Sequence, residues 1–222
     1  MCAPDSAQED MTELPSSTDE FTNALQKQAA RFGVELDGPT VERLVNYYKL
    51  LNAWNVRLHL VAPCSPAEFA TRHVLESLLA ISHLPEDARV ADVGSGAGLP
   101  IIPCLIARRG LQATLIEASP KKAVFLREAL RVACANDRAR VIAERFEKTA
   151  APDVEFITCR ALDRFEEMFE KLLAWSRPQS RLLLYGGLNI REQIERNALV
   201  YTAVRIPESE QRFLFIVERR ET

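Results

Sequence analysis

The chain has 222 residues, 47% of them apolar, which suits one domain plus an extension around a substantial core. No stretch approaches the roughly 18 uninterrupted apolar residues of a membrane span, and the N-terminus lacks a signal peptide's basic-then-apolar pattern, so a cytoplasmic protein with no membrane partner is expected. The net charge of −3 is uneven: six acidic and no basic residues fall within positions 1–20, leaving 28 basic against 25 acidic beyond them, a balance that permits an RNA partner without requiring one.

In chain order, residues 1–18 are polar, contain Pro4 and Pro15, and show no sustained apolar period; they read as a disordered acidic tail. Residues 19–85 read as a helical extension. Phe21, Leu25 and Ala29 share one face, Val41, Leu44, Val45, Tyr48, Leu51 and Trp54 recur at spacings of three and four, and a third helical stretch runs through Phe69, His73, Val74, Leu78 and Ile81. From Arg89 short apolar runs alternate with helical segments. Strands are expected from Arg89 to Val93, Ala113 to Glu117, Ala139 to Ala143, Glu155 to Cys159, Arg181 to Tyr185, Tyr201 to Ile206 and Arg212 to Val217. Helices after Gly98, Ser119 and Asp163 separate the earlier strands, so residues 86–222 predict βαβ units on a doubly wound, Rossmann-like α/β sheet. The last two strands are joined only by the turn around Pro207 and should form an antiparallel hairpin.

The sharpest motif is Asp92-Val93-Gly94-Ser95-Gly96-Ala97-Gly98, where a strand ends and a helix begins. Glycines there let the backbone turn tightly and approach a ligand where a Cβ would collide. A dinucleotide fingerprint, G-x-G-x-x-G, would need its third glycine where Leu99 stands. D-x-G-x-G-x-G is instead the form of an S-adenosylmethionine-binding turn. Glu117, at the end of the next strand, is placed to accept hydrogen bonds from both ribose hydroxyls of a nucleoside ligand. That feature supports a nucleoside without naming it, and a plain surface glutamate at a strand end is the bland reading.

Five further segments join this turn in a recognisable set: Trp54-Asn55 ending a helix, Arg72-His73-Val74-Leu75-Glu76-Ser77, Leu115-Ile116-Glu117, Lys121-Lys122 with Phe125-Leu126-Arg127, and Cys159-Arg160-Ala161. On these, the chain from about Leu36 to Val217 resembles the bacterial 16S ribosomal RNA guanine-N7 methyltransferases, the family called RsmG or GidB. The resemblance implies a class I methyltransferase fold, S-adenosyl-L-methionine as cofactor, and 16S ribosomal RNA or the small ribosomal subunit as partner. Carried over residue by residue, it implies Gly94 and Leu99 at the turn, Glu117 on the ribose, Phe146 and Glu147 beside the adenine, and Arg160 near the reacting centre and in the cofactor-binding set; the turn motif adds Asp92, Ser95, Gly96 and Gly98 to that set. At three places the chain departs from the family pattern. It has His59-Leu60-Val61 for Asn-Leu-Thr, Pro100-Ile101-Ile102-Pro103 for Pro-Gly-Ile-Pro, and Tyr185-Gly186 for Lys-Gly.

Guanine N7 has an exposed lone pair and no proton, so methyl transfer to it needs alignment more than a general base. The position after the fourth strand reads Thr158-Cys159-Arg160-Ala161, without the Asn-Pro-Pro type of motif that amine-methylating enzymes use. Arg160 is therefore expected to position substrate or cofactor, serving the reaction and not the fold; a guanine edge, a phosphate and the cofactor carboxylate all remain open as its target. Pro63-Cys64-Ser65 imitates a cytosine-methylating cysteine motif but precedes the cofactor turn, and Cys159 reads as a buried strand residue. The five cysteines, odd in number and without a C-x-x-C pair, read as reduced thiols; His59, His73 and His83 lack metal-site spacing.

RNA contacts are expected from Lys121, Lys122, Arg127 and Arg131 on the helix after Ser119, with Arg138 and Arg140 nearby, and from Tyr185, which could stack on a base or donate a hydrogen bond. A solvated charged face is the competing reading of the helix. Two other functions remain open: a methyltransferase acting on another RNA or a small molecule, and a non-catalytic module that binds the cofactor or the ribosome.

Overall fold

The computed structural model describes residues 16–160 and 165–219. Most of the expected tail lies outside them, as do Asp163 and Ala161 of the Cys-Arg-Ala segment. Helix α1 (Ser17–Gln28) begins two residues earlier than the apolar period implies. Ser16 caps it by accepting from the Asp19 N–H while the Asp19 carboxylate accepts from the Ser16 N–H.

Helix α2 (Gly38–Leu58) is capped by Asp37 and ends at His59, which takes a left-handed φ of 47°. The third helical stretch is not one regular α-helix. A short α3 (Pro66–Glu68) leads into a π-helical segment, Phe69–Leu75, then α4 (Glu76–Leu78) and a closing 3-10 turn. The apolar stripes behave as their spacing requires: Phe21, Leu25, Leu44, Leu51, Phe69, Val74 and Leu78 are all buried.

The strands are β1 (Arg89–Val93), β2 (Gln112–Ile116), β3 (Ala139–Ile142), β4 (Phe156–Arg160), β5 (Arg181–Gly186), β6 (Val200–Arg205) and β7 (Phe213–Glu218). They form one sheet in the order β3-β2-β1-β4-β5-β7-β6, in which β1 to β5 run parallel and β7 runs antiparallel to both β5 and β6. Helices α5 (Ile101–Ala107), α6 (Pro120–Val132), α7 (Phe165–Trp175) and α8 (Leu188–Arg196) follow β1, β2, β4 and β5.

Burial divides by strand face. Val90, Leu115, Leu183, Tyr185 and Leu214 share a core with α1, α2, the π-helical segment, α5 and α6. Ala91, Val93, Ile116, Cys159, Leu184 and Phe215 share a second core with α7 and α8. Alternate residues of each strand feed opposite layers, the period-two consequence of the pleat. The N-terminal helices thus close one face of the sheet; Trp54 of α2 tilts against Phe125 of α6 with centroids 5.9 Å apart.

The strand order reverses between β1 and β4, since β2 and β3 lie to one side and β5 to the other. In an open parallel sheet the crevice at the carboxyl ends of such strands receives ligands. The glycine turn, Glu117 and Arg160 all fall at that edge.

Candidate active site

The backbone between β1 and α5 turns through three glycines of positive φ, Gly94 at 71°, Gly96 at 51° and Gly98 at 82°. The Gly94 and Ser95 N–H groups donate to the Ile116 carbonyl at 3.0 and 3.2 Å, which ties the turn to the end of β2. The glycines have different tasks. A Cβ on Gly98 would lie 2.4 Å from Ile102 Cγ1, so this glycine admits α5 against the turn, whereas Gly94 and Gly96 border open space.

That space is a cavity of about 560 Å3, within the size range of small-molecule sites. Gly94, Ser95, Gly96, Leu99, Glu117, Ala118, Phe146, Glu147, Arg160 and His73 all line it. Asp92 and Gly98, also expected as cofactor contacts, do not border it. Asp92 is buried beneath the turn, where Thr158 Oγ1 donates to its Oδ1 at 2.6 Å and burial pushes its carboxyl up to about 7.

Glu117 is buried, which removes the bland reading of a surface glutamate. One carboxylate oxygen accepts from the Gly96 N–H and the other from the Ser119 N–H, both at 2.8 Å. Each oxygen retains acceptor capacity toward the cavity, because an ionised carboxylate offers about four lone-pair sites. Phe146 stands edge-on to Trp175 at 5.5 Å, and the Trp175 indole donates to the Thr149 carbonyl at 2.9 Å, so this apolar wall is braced from behind.

Arg160 is only 16% exposed at its side chain. Its guanidinium donates to the Arg72 carbonyl at 2.7 Å and reaches the His73 carbonyl, Ser77 Oγ and the Glu76 carboxylate at 3.3–3.5 Å. The carbonyls of Arg72 and His73 belong to the π-helical segment, whose wider turn offers them to the arginine. Arg160 therefore ties β4 to the N-terminal helices while it walls the cavity, which corrects the expectation that it serves the reaction alone. Glu76, buried at 2% exposure, also receives Arg212, the residue just before β7.

Tyr185 requires a second correction. It is buried, its hydroxyl donates to the Ser77 carbonyl at 2.9 Å, and Arg160 Cζ lies 5.8 Å from its ring centroid. At 4% exposure the ring borders only the smaller pocket that it shares with Arg160 and Arg212, which leaves little surface for a base to stack on. On α6, Lys121, Arg127 and Arg131 are exposed and Lys122 borders the cavity. Arg131 pairs with Glu128 at 2.9 Å. Arg138 leaves the surface set, since it donates to the carbonyls of Leu105 and Leu111 at 2.8 and 2.9 Å. Arg140 reaches Thr114 Oγ1 at 3.3 Å in a separate groove below β2 and β3.

Matching the chain against known proteins gives a consistent result. Residues 40–219 match the family model of GidB, described as rRNA small subunit methyltransferase G. The chain belongs to this family. Proteins named ribosomal RNA small subunit methyltransferase G are similar to it in Xanthomonas campestris pv. campestris strain B100, at 39% identity over 81% of this chain and 82% of the relative, and in Desulfotalea psychrophila, at 32% over 79% and 82%. Among solved structures, the mitomycin 7-O-methyltransferase MmcR superposes with a TM-score of 0.58 at 15% identity, covering 92% of this chain and 74% of that one. A SAM-dependent methyltransferase from Aquifex aeolicus gives 0.53 at 16%, over 78% and 96%. At these identities the two structures establish the class I methyltransferase fold.

Several cavity residues were not among the expected site residues: Leu60, Val61, His73, Glu144, Arg145 and Met168. One clue was present in Asn55. Its side-chain amide exchanges two hydrogen bonds with the backbone of Val61, at 3.0 and 3.1 Å, and so folds Leu60 and Val61 onto the cavity. Cys64 and Cys159 lie away from the cavity lining, and Cys159 is buried in the second core. Among the described residues, no group of three His, Cys, Asp or Glu side chains could hold a metal ion, and no helix is long and apolar enough to cross a membrane.

Proposed function

We propose that the chain transfers a methyl group from S-adenosylmethionine to N7 of a guanine in the RNA of the small ribosomal subunit. The observation that carries this is a cavity lined by Gly94, Ser95 and Gly96 of the glycine turn and by buried Glu117, in a member of the rRNA small subunit methyltransferase G family. The residues suit that cofactor: Gly94 and Gly96 leave room for its amino-acid end, Glu117 has acceptor capacity for ribose hydroxyls, and Phe146 with Met168 offers an apolar wall to adenine.

S-adenosylmethionine supplies, when bound, an electrophilic methyl group on its sulfonium sulfur. The protein's part is orientation and exclusion of water. No proton has to leave guanine N7, and the histidine in the cavity wall suits this: burial, with Arg160 and Arg72 beside it, lowers His73 to about 4 and makes it a weak base. Exposed Lys121 and Arg127, outside the cavity, are available to RNA phosphates. The departure from the family's Lys-Gly falls on a side chain that is 4% exposed, which supports an unchanged substrate class.

Incubation with labelled S-adenosylmethionine and unmodified small subunits or naked 16S RNA tests the proposal. Label should enter RNA and create a borohydride- and aniline-sensitive site at one guanine. Methylation of another base atom, or of a small metabolite alone, would refute it.

A further inference from the structure

His73 holds a place in the cavity wall that the proposed chemistry leaves without a task. It sits on the π-helical segment Phe69–Leu75, half-buried, with its ring against Phe69 at a centroid distance of 5.1 Å. Arg160 Nη2 lies 3.4 Å from His73 Nδ1. A guanidinium only donates, so this contact requires Nδ1 to accept, and the single proton of the neutral ring then resides on Nε2. The ring is held neutral by its surroundings: burial lowers its pKa most, the charges of Arg160, Arg72 and Arg212 act in the same direction, and Glu68 alone opposes them. Nε2 makes no hydrogen bond to any described residue and is not sealed from solvent. His73 thus brings a neutral ring with its N–H on Nε2 to the cavity lining, next to Arg160, which borders both this cavity and a smaller one of about 250 Å3.

We infer that His73 Nε2–H selects guanine by donating a hydrogen bond to O6 of the target base, an inference that rests on the methyl-transfer reading above. On the edge that carries N7, guanine presents the acceptor O6, whereas adenine presents an amino group in its place. A donor opposite that amino group leaves two N–H groups unpaired in a site from which water is expelled, a mismatch that discriminates strongly between substrates. The N7 lone pair stays free for the incoming methyl. Arg160 is a positioning residue in this scheme, because its contact with Nδ1 sets which nitrogen bears the proton. Adenine is thus rejected by donor polarity, with no need for a difference in size.

The test uses the full chain and small-subunit RNA in which the guanine methylated by the parent protein is replaced by inosine, which keeps O6, or by 2-aminopurine, which keeps N7 and lacks O6. The parent should methylate guanine and inosine comparably and disfavour 2-aminopurine about 10- to 100-fold in kcat/KM. His73→Phe, which keeps an aromatic ring beside Phe69 without the donor, should lose most of that preference and bind S-adenosylhomocysteine with unchanged affinity. His73→Gln, which retains an N–H donor, should restore part of the preference. Undiminished discrimination in either the Phe or, if that variant folds poorly, an Ala variant would overturn the inference. So would loss of S-adenosylhomocysteine binding, which would assign His73 to the cofactor. Failure of the parent to methylate any guanine would overturn the underlying reading and this inference with it.

Discussion

The hydroxyl of Tyr47, in the middle of α2, donates to the carbonyl of Ala97 in the glycine turn at 2.6 Å, across 50 positions of sequence. The helical extension thus holds the glycine turn through a hydrogen bond as well as through packing. Tyr47 is fully buried, and that burial raises its hydroxyl pKa, so the group stays a neutral donor. Tyr47→Phe should leave the Ala97 carbonyl unpaired and cost about 1–3 kcal/mol of stability. It should also weaken S-adenosylhomocysteine binding, because the turn loses its lateral support. Thermal unfolding with and without ligand measures both effects; a variant as stable as the parent, with equal ligand stabilisation, would count against this support.

Glu117→Gln keeps the shape of the side chain but replaces one accepting oxygen by an amide that faces a backbone N–H of Gly96 or Ser119. The expected result is at least tenfold weaker S-adenosylhomocysteine binding in titration calorimetry, each hydrogen bond to a charged acceptor contributing about 1.5–3 kcal/mol. NAD should stabilise neither protein thermally, because Leu99 stands where a dinucleotide fingerprint needs glycine.

Removal of Arg160 should be costly in stability as well as turnover. Arg160→Ala removes the bond to the Arg72 carbonyl and one of two cations beside buried Glu76, which keeps Arg212, and should cost about 1–3 kcal/mol. Tyr185→Phe removes the hydroxyl that donates to the Ser77 carbonyl, about 1 kcal/mol, whereas Tyr185→Lys would bury an ammonium beside Arg160 and should be the more damaging. Chemical denaturation orders the three variants.

The buried Asp92 carboxyl makes a pH prediction with a definite sign. Its pKa in the folded chain is about 7 against an ordinary value of 3.8, so between these limits the folded state binds more protons than the unfolded one. Its contribution to stability is then most favourable below about pH 4 and declines as pH rises to about 7. Because other carboxylates, such as Glu155 beside Arg89, are shifted in the opposite direction, the difference between parent and Asp92→Asn isolates the effect. The parent's stability relative to Asp92→Asn should fall across this window; a difference independent of pH would contradict it.

Binding to RNA should depend on salt through α6. Lys121→Gln with Arg127→Gln should flatten the slope of log affinity against log salt by roughly 0.7–0.9 for each phosphate that is no longer neutralised. Arg131→Gln should change it less, since Arg131 already pairs with Glu128. Equal slopes in filter binding would make the exposed face of α6 merely solvated.

The sequence by itself determined the local pieces of this protein. Alternating and helical apolar periods placed all seven strands within two residues of their ends, because burial on one face is recorded in residue spacing. The turn at Gly94 and Gly96 and the acid at Glu117 were legible for a similar reason: a positive φ and a strand-end carboxylate are demands on single residue types. What only the tertiary structure decided are the partners. Tyr185 meets Ser77 across 108 positions, Arg160 meets Arg72 across 88, and the π-helical turn that receives the arginine has no local signature. An exposed-looking tyrosine became core, and a lone histidine became a cavity donor. A side chain's polarity sets what it is able to bond, whereas its distance from the one group that satisfies it is set by how the helices close over the sheet.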